Sequence, residues 1–294
     1  MSGKIGKIAV IMDAPEFIHP EKDSSLVLIT EAKRRGYEVF IYQQKDLVLR
    51  DSKVFFNQTP VSEFKLILMR KDPPIDLEYI YTTMLLDLAQ KEGVKIINNP
   101  QALRDCNEKL FISWFPQCCA PTLTAFNPEL IKDFLNIHKD IILKPLNGMG
   151  GQGIVRVKYD DASLNTVINT ATHNGTVRAM AQRYIPEIKQ GDKRIIMMHG
   201  KPLPYALSRF AKPGEIRANI AAGGSYQKAE LTTRDKFICD QVGPVLLQKG
   251  LLFVGLDVIG EYLTEINITS PTCLREIDTL FGVNTASYLF DELF

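Results

Sequence analysis

The 294-residue sequence has neither an excess of charge of one sign nor a long hydrophobic run. Its 35 basic and 34 acidic side chains give a formal net charge of +1, which provides no general electrostatic reason to bind nucleic acid or an anionic membrane. The first apolar run, residues 8–12, is too short for the core of a signal peptide or for a membrane span. We therefore expect a cytoplasmic protein that acts on small molecules, without nucleic-acid or membrane partners.

Motifs for several common chemistries are also missing. The cysteines form no CxxC pair and their number is odd, so we expect small buried thiols in a reducing compartment and no disulfide framework. The five cysteines are Cys106, Cys118, Cys119, Cys239 and Cys273. The four histidines share no metal-ligand spacing, and no GxSxG motif occurs. Catalysis by a nucleophilic side chain is therefore not expected.

The first third of the sequence alternates between strand-like and helix-like segments. Strands are expected at residues 7–12, 37–42, 64–69 and 94–97, and helices at residues 24–35 and 76–91. Alternation with short connections predicts a doubly wound parallel sheet over residues 1–106.

The chain after residue 106 mixes strands and helices without that regular alternation. Strands are expected at residues 140–145, 154–158 and 178–185, and helices at residues 107–115, 163–173, 233–249 and 284–293. No internal repeat or low-complexity tract is present. The expected fold class is therefore α/β, with an α+β second part.

A glycine-rich connection follows the strand that carries Lys144. Gly148, Gly150 and Gly151 stand within a run of four glycines in six residues, which lets backbone N–H groups approach an anion. The run lacks the GK[ST] ending of a P-loop and joins strand to strand, which also excludes the dinucleotide fingerprint. It predicts a flap over nucleotide phosphates. An ordinary flexible hairpin is the alternative, which the apolar surroundings of Lys144 disfavour because a buried lysine needs an anionic partner.

Two apolar segments flank a short turn at residues 260–262 and carry acidic side chains. If this hairpin centres on Glu261, Asp257 and Glu265 lie directly opposite each other, and Asn267 shares the face of Glu265. Opposed carboxylates repel, so a bound cation is the favoured compensation. Oxygen-only ligands suit Mg²⁺, which usually also binds substrate phosphates. A solvated acidic face is the alternative.

Four basic residues and one small-residue segment complete the set. Arg70 and Lys71 follow a predicted strand at the carboxyl end of a parallel sheet, where ligands commonly bind. Arg194 and Arg209 suit carboxylate or phosphate through the guanidinium fork, although each alone could be a surface charge. Residues 213–224 are rich in small residues and predict a mobile lid, with a plain surface loop as the alternative.

Together these features indicate ATP–Mg²⁺ chemistry on a carboxylate. An amine cannot displace oxide from a carboxylate, whereas transfer of the γ-phosphoryl group creates an acyl phosphate whose phosphate leaves readily. The protein then has to position the reactants and stabilise charge.

The order of these segments resembles the ATP-grasp superfamily, and the sequence is still more similar to the bacterial-type glutathione synthetases. The resemblance covers nearly the whole chain. Its most similar stretches are residues 22–25, 68–74, 99–111, 142–151, 191–194, 221–224, 254–257 and 263–277. It implies an N-terminal substrate domain at residues 1–106. It also implies an ATP-grasp small lid subdomain at residues 107–186 and a C-terminal catalytic subdomain at residues 187–294.

The resemblance also implies roles for individual residues. The implied phosphate ligands are Lys109 and Lys144 with the flap glycines, and the implied adenine and ribose contacts are Gln182, Arg183, Tyr184, Ile185 and Asp192. Asp257, Glu265 and Asn267 would hold Mg²⁺, with Mn²⁺ as an alternative. Arg194 and Arg209 would stabilise the tetrahedral intermediate. The implied peptide pocket consists of Arg70, Ser270, Thr272 and Glu276, with Arg217 on the lid.

The implied reaction joins γ-glutamylcysteine to glycine with ATP and gives glutathione, ADP and phosphate, in a homotetramer. Other ATP-grasp ligases, such as D-alanine–D-alanine or glutamate-adding enzymes, are the alternatives within the superfamily. A catalytically silent ATP-binding protein is the alternative outside the enzymes. The retained arginines and metal-site residues argue against a silent protein.

Overall fold

A computed structural model describes residues 5–211 and 224–294 of the chain. Arg217 and residues 213–223 of the predicted lid lie outside these ranges. The described strands are β1 Lys7–Ile11, β2 Glu38–Tyr42, β3 Leu47–Arg50, β4 Lys53–Phe56, β5 Thr59–Pro60, β6 Phe64–Met69, β7 Lys95–Ile97, β8 Thr122–Ala125, β9 Asp140–Pro145, β10 Val155–Lys158, β11 Ala179–Arg183, β12 Asp192–Met198, β13 Lys201–Phe210, β14 Ser225–Ala229, β15 Phe253–Ile259 and β16 Tyr262–Asn267. The described α-helices are α1 Ser24–Arg34, α2 Leu77–Lys91, α3 Pro100–Asp105, α4 Pro128–His138, α5 Leu164–Ala171, α6 Thr233–Gln248, α7 Leu274–Phe281 and α8 Thr285–Asp291.

The first two helices begin where the sequence supplies a capping carboxylate. The side chain of Asp23 accepts a hydrogen bond from the backbone N–H of Leu26 in α1, and Asp76 does the same for Tyr79 in α2. Each cap satisfies one of the N–H groups that a helix N-terminus leaves without a partner. Gly36 follows α1 with a φ of +88°, a left-handed conformation that glycine adopts without steric cost.

Strands β2, β1, β6 and β7 form a four-stranded sheet in that order, and every neighbouring pair is parallel. Its two faces bury different helices. Ile8 and Val10 belong to the same buried cluster as Leu28 of α1, whereas Ile11 belongs to the same cluster as Leu86 of α2. The predicted doubly wound parallel sheet is therefore confirmed.

A small antiparallel sheet of β3, β4 and β5 follows β2 and was not predicted from the sequence. The β3–β4 turn consists of Asp51 and Ser52, whose φ values are +48° and +63°. This left-handed conformation is typical of glycine, but the turn contains none. The sequence therefore lacks the glycine that would have predicted the hairpin. Val54 and Phe56 of β4 are buried in the cluster that also contains residues of α2.

The predicted helix at residues 107–115 is wrong. The structure has a short 3-10 helix at Leu110–Trp114 instead. The carbonyl oxygen of Glu108, which an α-helix would use internally, accepts a hydrogen bond from Ile266 N of β16 at 2.9 Å. Pro116 then ends the segment, because a proline disfavours helical conformation at the residue before it.

A second four-stranded sheet, in the order β10-β9-β11-β8, is antiparallel between the neighbours that define it. Residues of α4 and α5 share its buried apolar cluster, which includes Ile131, Leu143 and Ile168. The three helices α3, α4 and α7 were not predicted from the sequence.

The third sheet, β14-β13-β12-β15-β16, is antiparallel throughout. Asp257 pairs with Glu265 across β15 and β16, as the sequence predicts. The turn is shorter than predicted, because Ile259 pairs with Tyr262 and Tyr262 therefore belongs to the strand. The register shifts between Asp257 and Val258, which leaves Thr264 as an extra residue on β16. This bulge compensates for the shorter turn, so the two carboxylates still lie opposite each other.

Candidate active site

A cleft of about 780 Å³ lies between the second and third sheets. It collects predicted ATP-site, catalytic and metal-site residues from six strands and their connections. Those that line it are Lys144, Gly151, Gln182, Arg183, Tyr184, Ile185, Asp192, Arg209, Asp257 and Glu265. The structure therefore brings most of the predicted nucleotide-site residues together around one cavity, next to the predicted metal hairpin. Of the other three, Gly150 lines a second cleft, and Lys109 and Gly148 line neither of the two.

Two of the predicted phosphate ligands are lysines, of which Lys144 lines this cleft. Lys144 Nζ donates to Gln182 Oε1 at 2.9 Å, and burial lowers the pKa of Lys144. Lys109 Nζ lies 3.0 Å from Glu265 Oε1 and also donates to the carbonyl oxygen of Gly148. Because Lys109 is only 4% exposed, its charge depends on these partners. Both ammonium groups thus already have protein partners in the structure.

The glycine-rich connection joins β9 to β10, as predicted. Gly150 and Gly151 have φ values of +60° and +77°, which a residue with a Cβ rarely adopts. A Cβ at Gly148 would lie 2.9 Å from the carbonyl oxygen of Gln152, so the tight turn requires glycine there. The side chain of Asn107 fixes the start of the connection by donating to Leu146 O at 2.8 Å.

Asp257 is held by two buried guanidinium groups. Arg194 contacts it through Nε at 2.6 Å and Nη2 at 3.1 Å, and Arg209 Nη2 lies 2.9 Å from the same carboxylate. Burial raises the pKa of Asp257, but the two arginines outweigh burial and hold that pKa well below its usual range. Protein cations therefore already offset the repulsion between Asp257 and Glu265 that the sequence argument assigned to a metal ion.

Arg209 also links this cluster to Asp192, another residue that lines the cleft. Its Nη2 lies 2.5 Å from Asp192 Oδ2. Burial raises the pKa of Asp192 to about 6 even though Arg209 acts in the opposite direction. Oδ1 of Asp192 is buried and has no partner among the described residues, which leaves it available to a hydroxyl donor.

The side-chain oxygens that the hairpin offers are suitable ligands for a small divalent cation. Asn267 donates from Nδ2 to Asp257 Oδ2 and to Gly255 O, both at 3.2 Å, so its carbonyl oxygen remains free to face a cation. Two carboxylates and one amide oxygen suit Mg²⁺ or Mn²⁺, with substrate phosphates supplying further ligands. Within residues 5–211 and 224–294, no three or more histidine, cysteine or acidic side chains are grouped so that they could hold a metal ion by themselves.

A second cleft, of about 1110 Å³, adjoins the first and shares Asp257 and Glu265 with it. Ser270 and Thr272 line it, as predicted for the peptide pocket. Further lining residues, which the sequence analysis did not assign, are Phe17, His19, Lys22, Asp23, Asp72, Pro73 and Glu108. Only the position of Glu108 beside Lys109, within a stretch that resembles the family, could have drawn attention to it.

Arg70 and Glu276 are not among the side chains that line this second cleft. Arg70 is buried behind it, where Nε donates to Ser25 Oγ at 3.1 Å and Nη2 donates to Pro271 O at 2.9 Å. Glu276 is also buried, and burial raises its pKa. Arg70 therefore supports the wall formed by residues 270–272 in this structure.

Comparisons with known proteins agree with this geometry. Residues 108–282 match the family described as "Prokaryotic glutathione synthetase, ATP-grasp domain", and residues 7–62 and 56–104 match its N-terminal domain. A glutathione synthetase of Pseudomonas syringae pv. tomato is 47% identical over 98% of this chain and 96% of its own length. One of Vibrio cholerae is 46% identical over 98% and 96%.

Solved structures show the same fold at low sequence identity. A D-cycloserine synthetase superposes with a TM-score of 0.73 at 12% identity, over 98% of this chain and 100% of its own. D-alanyl-alanine synthetase A of Vibrio cholerae gives 0.67 at 15% identity, over 99% and 98%. No described helix is both long and apolar enough to span a membrane. The chain therefore belongs to the prokaryotic glutathione synthetase family and is an ATP-dependent ligase of the ATP-grasp type.

Proposed function

We propose that this chain joins γ-glutamylcysteine to glycine through an acyl-phosphate intermediate and releases glutathione, ADP and phosphate. The observation that carries the proposal is the meeting of two clefts at Asp257 and Glu265. One cleft has the features of a nucleotide site, and the other is lined by polar residues on the opposite side of the same carboxylates. A γ-phosphoryl group and a substrate carboxylate can therefore meet where the two clefts join.

The chain's own residues perform two tasks at this junction. Lys109 and Lys144 bind phosphate oxygens, with backbone N–H groups of the glycine connection, and so orient the phosphoryl group for transfer. Arg194 and Arg209 face the carbon that glycine attacks and stabilise the negative charge that grows on its oxygen. A divalent cation, when bound by Asp257, Glu265 and Asn267, neutralises phosphate charge, and we assign Mg²⁺ with Mn²⁺ as a substitute.

The remaining assignments place the two substrates. Residues 182–185 contact adenine, and Asp192 accepts hydrogen bonds from the ribose. Ser270 and Thr272 contact the dipeptide directly. Arg70 and Glu276 either hold the wall of the cleft in place or reach the dipeptide after a local movement. Arg217, outside the described residues, contacts the dipeptide from the lid.

We extend the proposal to the organisation of the protein. The units are residues 1–106, 107–186 and 187–294. The N-terminal family match ends at residue 104 and the ATP-grasp match begins at residue 108, which supports the first boundary. The protein is cytoplasmic and homotetrameric. A row of exposed apolar side chains on α2, formed by Leu77, Tyr81 and Met84, supports an interface with another copy.

The activity is tested by ADP release with each substrate omitted in turn. We expect ADP to appear with γ-glutamylcysteine, glycine and Mg²⁺ together, and glutathione to form in equal amount. D-alanine in place of both substrates should give none. Turnover with D-alanine that equals turnover with the proposed substrates would contradict the assignment, as would no turnover with the proposed substrates.

A further inference from the structure

Glu108 places one carboxylate oxygen in the wall of the substrate cleft and leaves the other without a partner. Oε1 accepts hydrogen bonds from Ile268 N at 2.8 Å, Thr269 N at 3.0 Å and Thr269 Oγ1 at 2.9 Å. Oε2 has no hydrogen-bond partner among the described residues, and the side chain lines the second cleft. Its orientation is thus fixed by three donors to one oxygen, while the second oxygen stays free.

The other carboxylates of this cleft are already engaged. Asp257 is paired with two arginines and Glu265 with Lys109. Asp23 caps α1, and Asp72 bonds to Ser270 and feels the positive charges of neighbouring basic residues. Among the described residues, the contacts of the Glu108 carboxylate are its hydrogen bonds from Ile268 and Thr269, and it has no ion pair. An anion in this setting lacks a positive partner.

The proposed reaction supplies two ammonium groups as candidates. One is the α-ammonium of the γ-glutamyl residue, which lies several bonds away from the carboxylate that reacts. The other is the ammonium of glycine, whose nitrogen must reach the acyl carbon. Glu108 and Glu265 line the same cleft, and the backbone carbonyl oxygen of Glu108 accepts a hydrogen bond from the N–H of Ile266, the residue after Glu265. Its free oxygen therefore lies near the junction of the clefts, where glycine has to bind.

We propose that Glu108 binds the ammonium group of glycine, accepts one of its protons and so positions the amine for attack. The freed lone pair forms the C–N bond to the acyl carbon as the C–O bond to phosphate breaks, and phosphate leaves with the electron pair and the second proton of the amine. This proposal rests on the proposed function. The three hydrogen bonds to Oε1 hold the side chain in the wall of the cleft, and the missing ion pair leaves Oε2 free for a cationic substrate. A desolvated carboxylate also binds a cationic amine in preference to a neutral amine of similar size.

Glu108 also anchors the wall at Ile268 and Thr269, so the test has to separate anchoring from binding. Glu108→Gln keeps a carbonyl oxygen that accepts the same three hydrogen bonds but replaces the free oxygen by an N–H donor. Glu108→Ala removes both functions. Glu108→Asp retains the charge on a shorter side chain. Asp105→Asn is the matched control, because it removes one negative charge at an exposed residue nearby that lines neither cleft.

Two nucleophiles are compared with the same enzyme. Glycine carries an ammonium group, whereas hydroxylamine is largely uncharged near neutral pH and traps the acyl phosphate as a hydroxamate. For Glu108→Gln we expect kcat/KM for glycine to fall about 30-fold or more, with KM for γ-glutamylcysteine and for ATP unchanged. Hydroxamate formation without glycine should stay at the wild-type rate. Glu108→Asp should retain part of the glycine reaction, and Asp105→Asn should match the wild type.

Three outcomes would overturn the proposal. A Glu108→Gln enzyme with wild-type kinetics would show that the side chain only anchors the wall. Equal loss of glycine ligation and hydroxamate formation would place its role before the amine step. A raised KM for γ-glutamylcysteine with normal glycine kinetics would assign Glu108 to the other ammonium. Failure of the proposed function itself is distinguishable, because the wild-type protein would then form neither glutathione nor the hydroxamate.

Discussion

At the scale of single residues, Arg194, Arg209 and Asp257 form a buried ion-pair cluster to which we assign a role in the reaction. Each arginine is almost fully buried, and each contacts the same carboxylate. Their charges are fixed before substrate arrives, so they need little reorganisation when charge develops on the acyl oxygen. The same pairing means that removal of either arginine changes the folded state as well as the reaction.

We expect Arg209→Ala to lower kcat by about 100- to 1000-fold, because a fixed donor stabilises the transition state more than the bound substrate. It should also lower the free energy of unfolding by about 3–5 kcal/mol, since Asp192 and Asp257 each lose a buried partner. Steady-state kinetics and denaturant unfolding of the same variant measure both effects.

The control for this variant is Arg178→Ala, which removes an exposed arginine that lies 4.4 Å from the Phe126 ring and lines neither cleft. It should leave kcat unchanged. If Arg209→Ala retains normal kcat and only raises KM, Arg209 contributes uniform binding and does not act on the transition state.

At the scale of elements, the β15–β16 hairpin combines the proposed metal ligands with an ion pair. Opposed carboxylates alone would make Glu265→Gln more stable without metal, because the substitution relieves repulsion. In the structure, however, Glu265 is the ion-pair partner of Lys109, which is buried. Loss of that partner leaves a buried cation, so the structure reverses the sign of the expected stability change.

We therefore expect Glu265→Gln to fold with a lower melting temperature than the wild type when metal is absent. Turnover should fall steeply, and the Mg²⁺ concentration for half-maximal rate should rise, because an amide is a weaker ligand than a carboxylate. A Mg²⁺ titration of the ligase rate and a melting curve with chelator test these two effects. Glu261→Gln, at the exposed tip of the same hairpin, is the matched control.

An unchanged Mg²⁺ dependence in Glu265→Gln would show that the acidic pair does not hold the metal. A higher melting temperature without metal would show that Lys109 does not depend on Glu265. The two readouts fail independently, so the metal role and the ion-pair role are tested separately.

At the scale of the whole molecule, α2 presents an apolar row to solvent. Leu77, Tyr81 and Met84 are 64%, 50% and 50% exposed, and their spacing places them along one side of the helix. A charge within an interface that is apolar and desolvated costs several kcal/mol, which is enough to weaken association.

If this row lies in the tetramer interface, Met84→Lys should shift the species of about four times the 33.1 kDa chain mass to smaller assemblies. Sedimentation velocity over a range of protein concentrations measures the shift. Ile137→Lys, at a 72% exposed position on α4, is the control and should leave the assembly intact. A Met84→Lys protein with unchanged sedimentation would exclude the α2 row from the interface.

The sequence by itself determined the features that depend on neighbouring residues. Apolar periodicity and strand–helix alternation were enough to predict α1, α2 and the parallel strands, because local patterns decide which face of an element is buried. The caps at Asp23 and Asp76 were found in the structure. The two-residue repeat of a strand was enough to oppose Asp257 and Glu265. The resemblance to the family then assigned the chemistry.

Only the tertiary structure decided which distant groups meet. Arg194 and Asp257 are 63 residues apart and pair because β12 and β15 are neighbours in one register. The same is true of Glu108, whose carbonyl oxygen binds β16 and thereby prevents the predicted helix from residue 107 onward. Sequence periodicity fixes the face on which a side chain lies, but sheet order and register fix its partner. For that reason the charges of this site could be found in the sequence, whereas their pairing and the free oxygen of Glu108 could not.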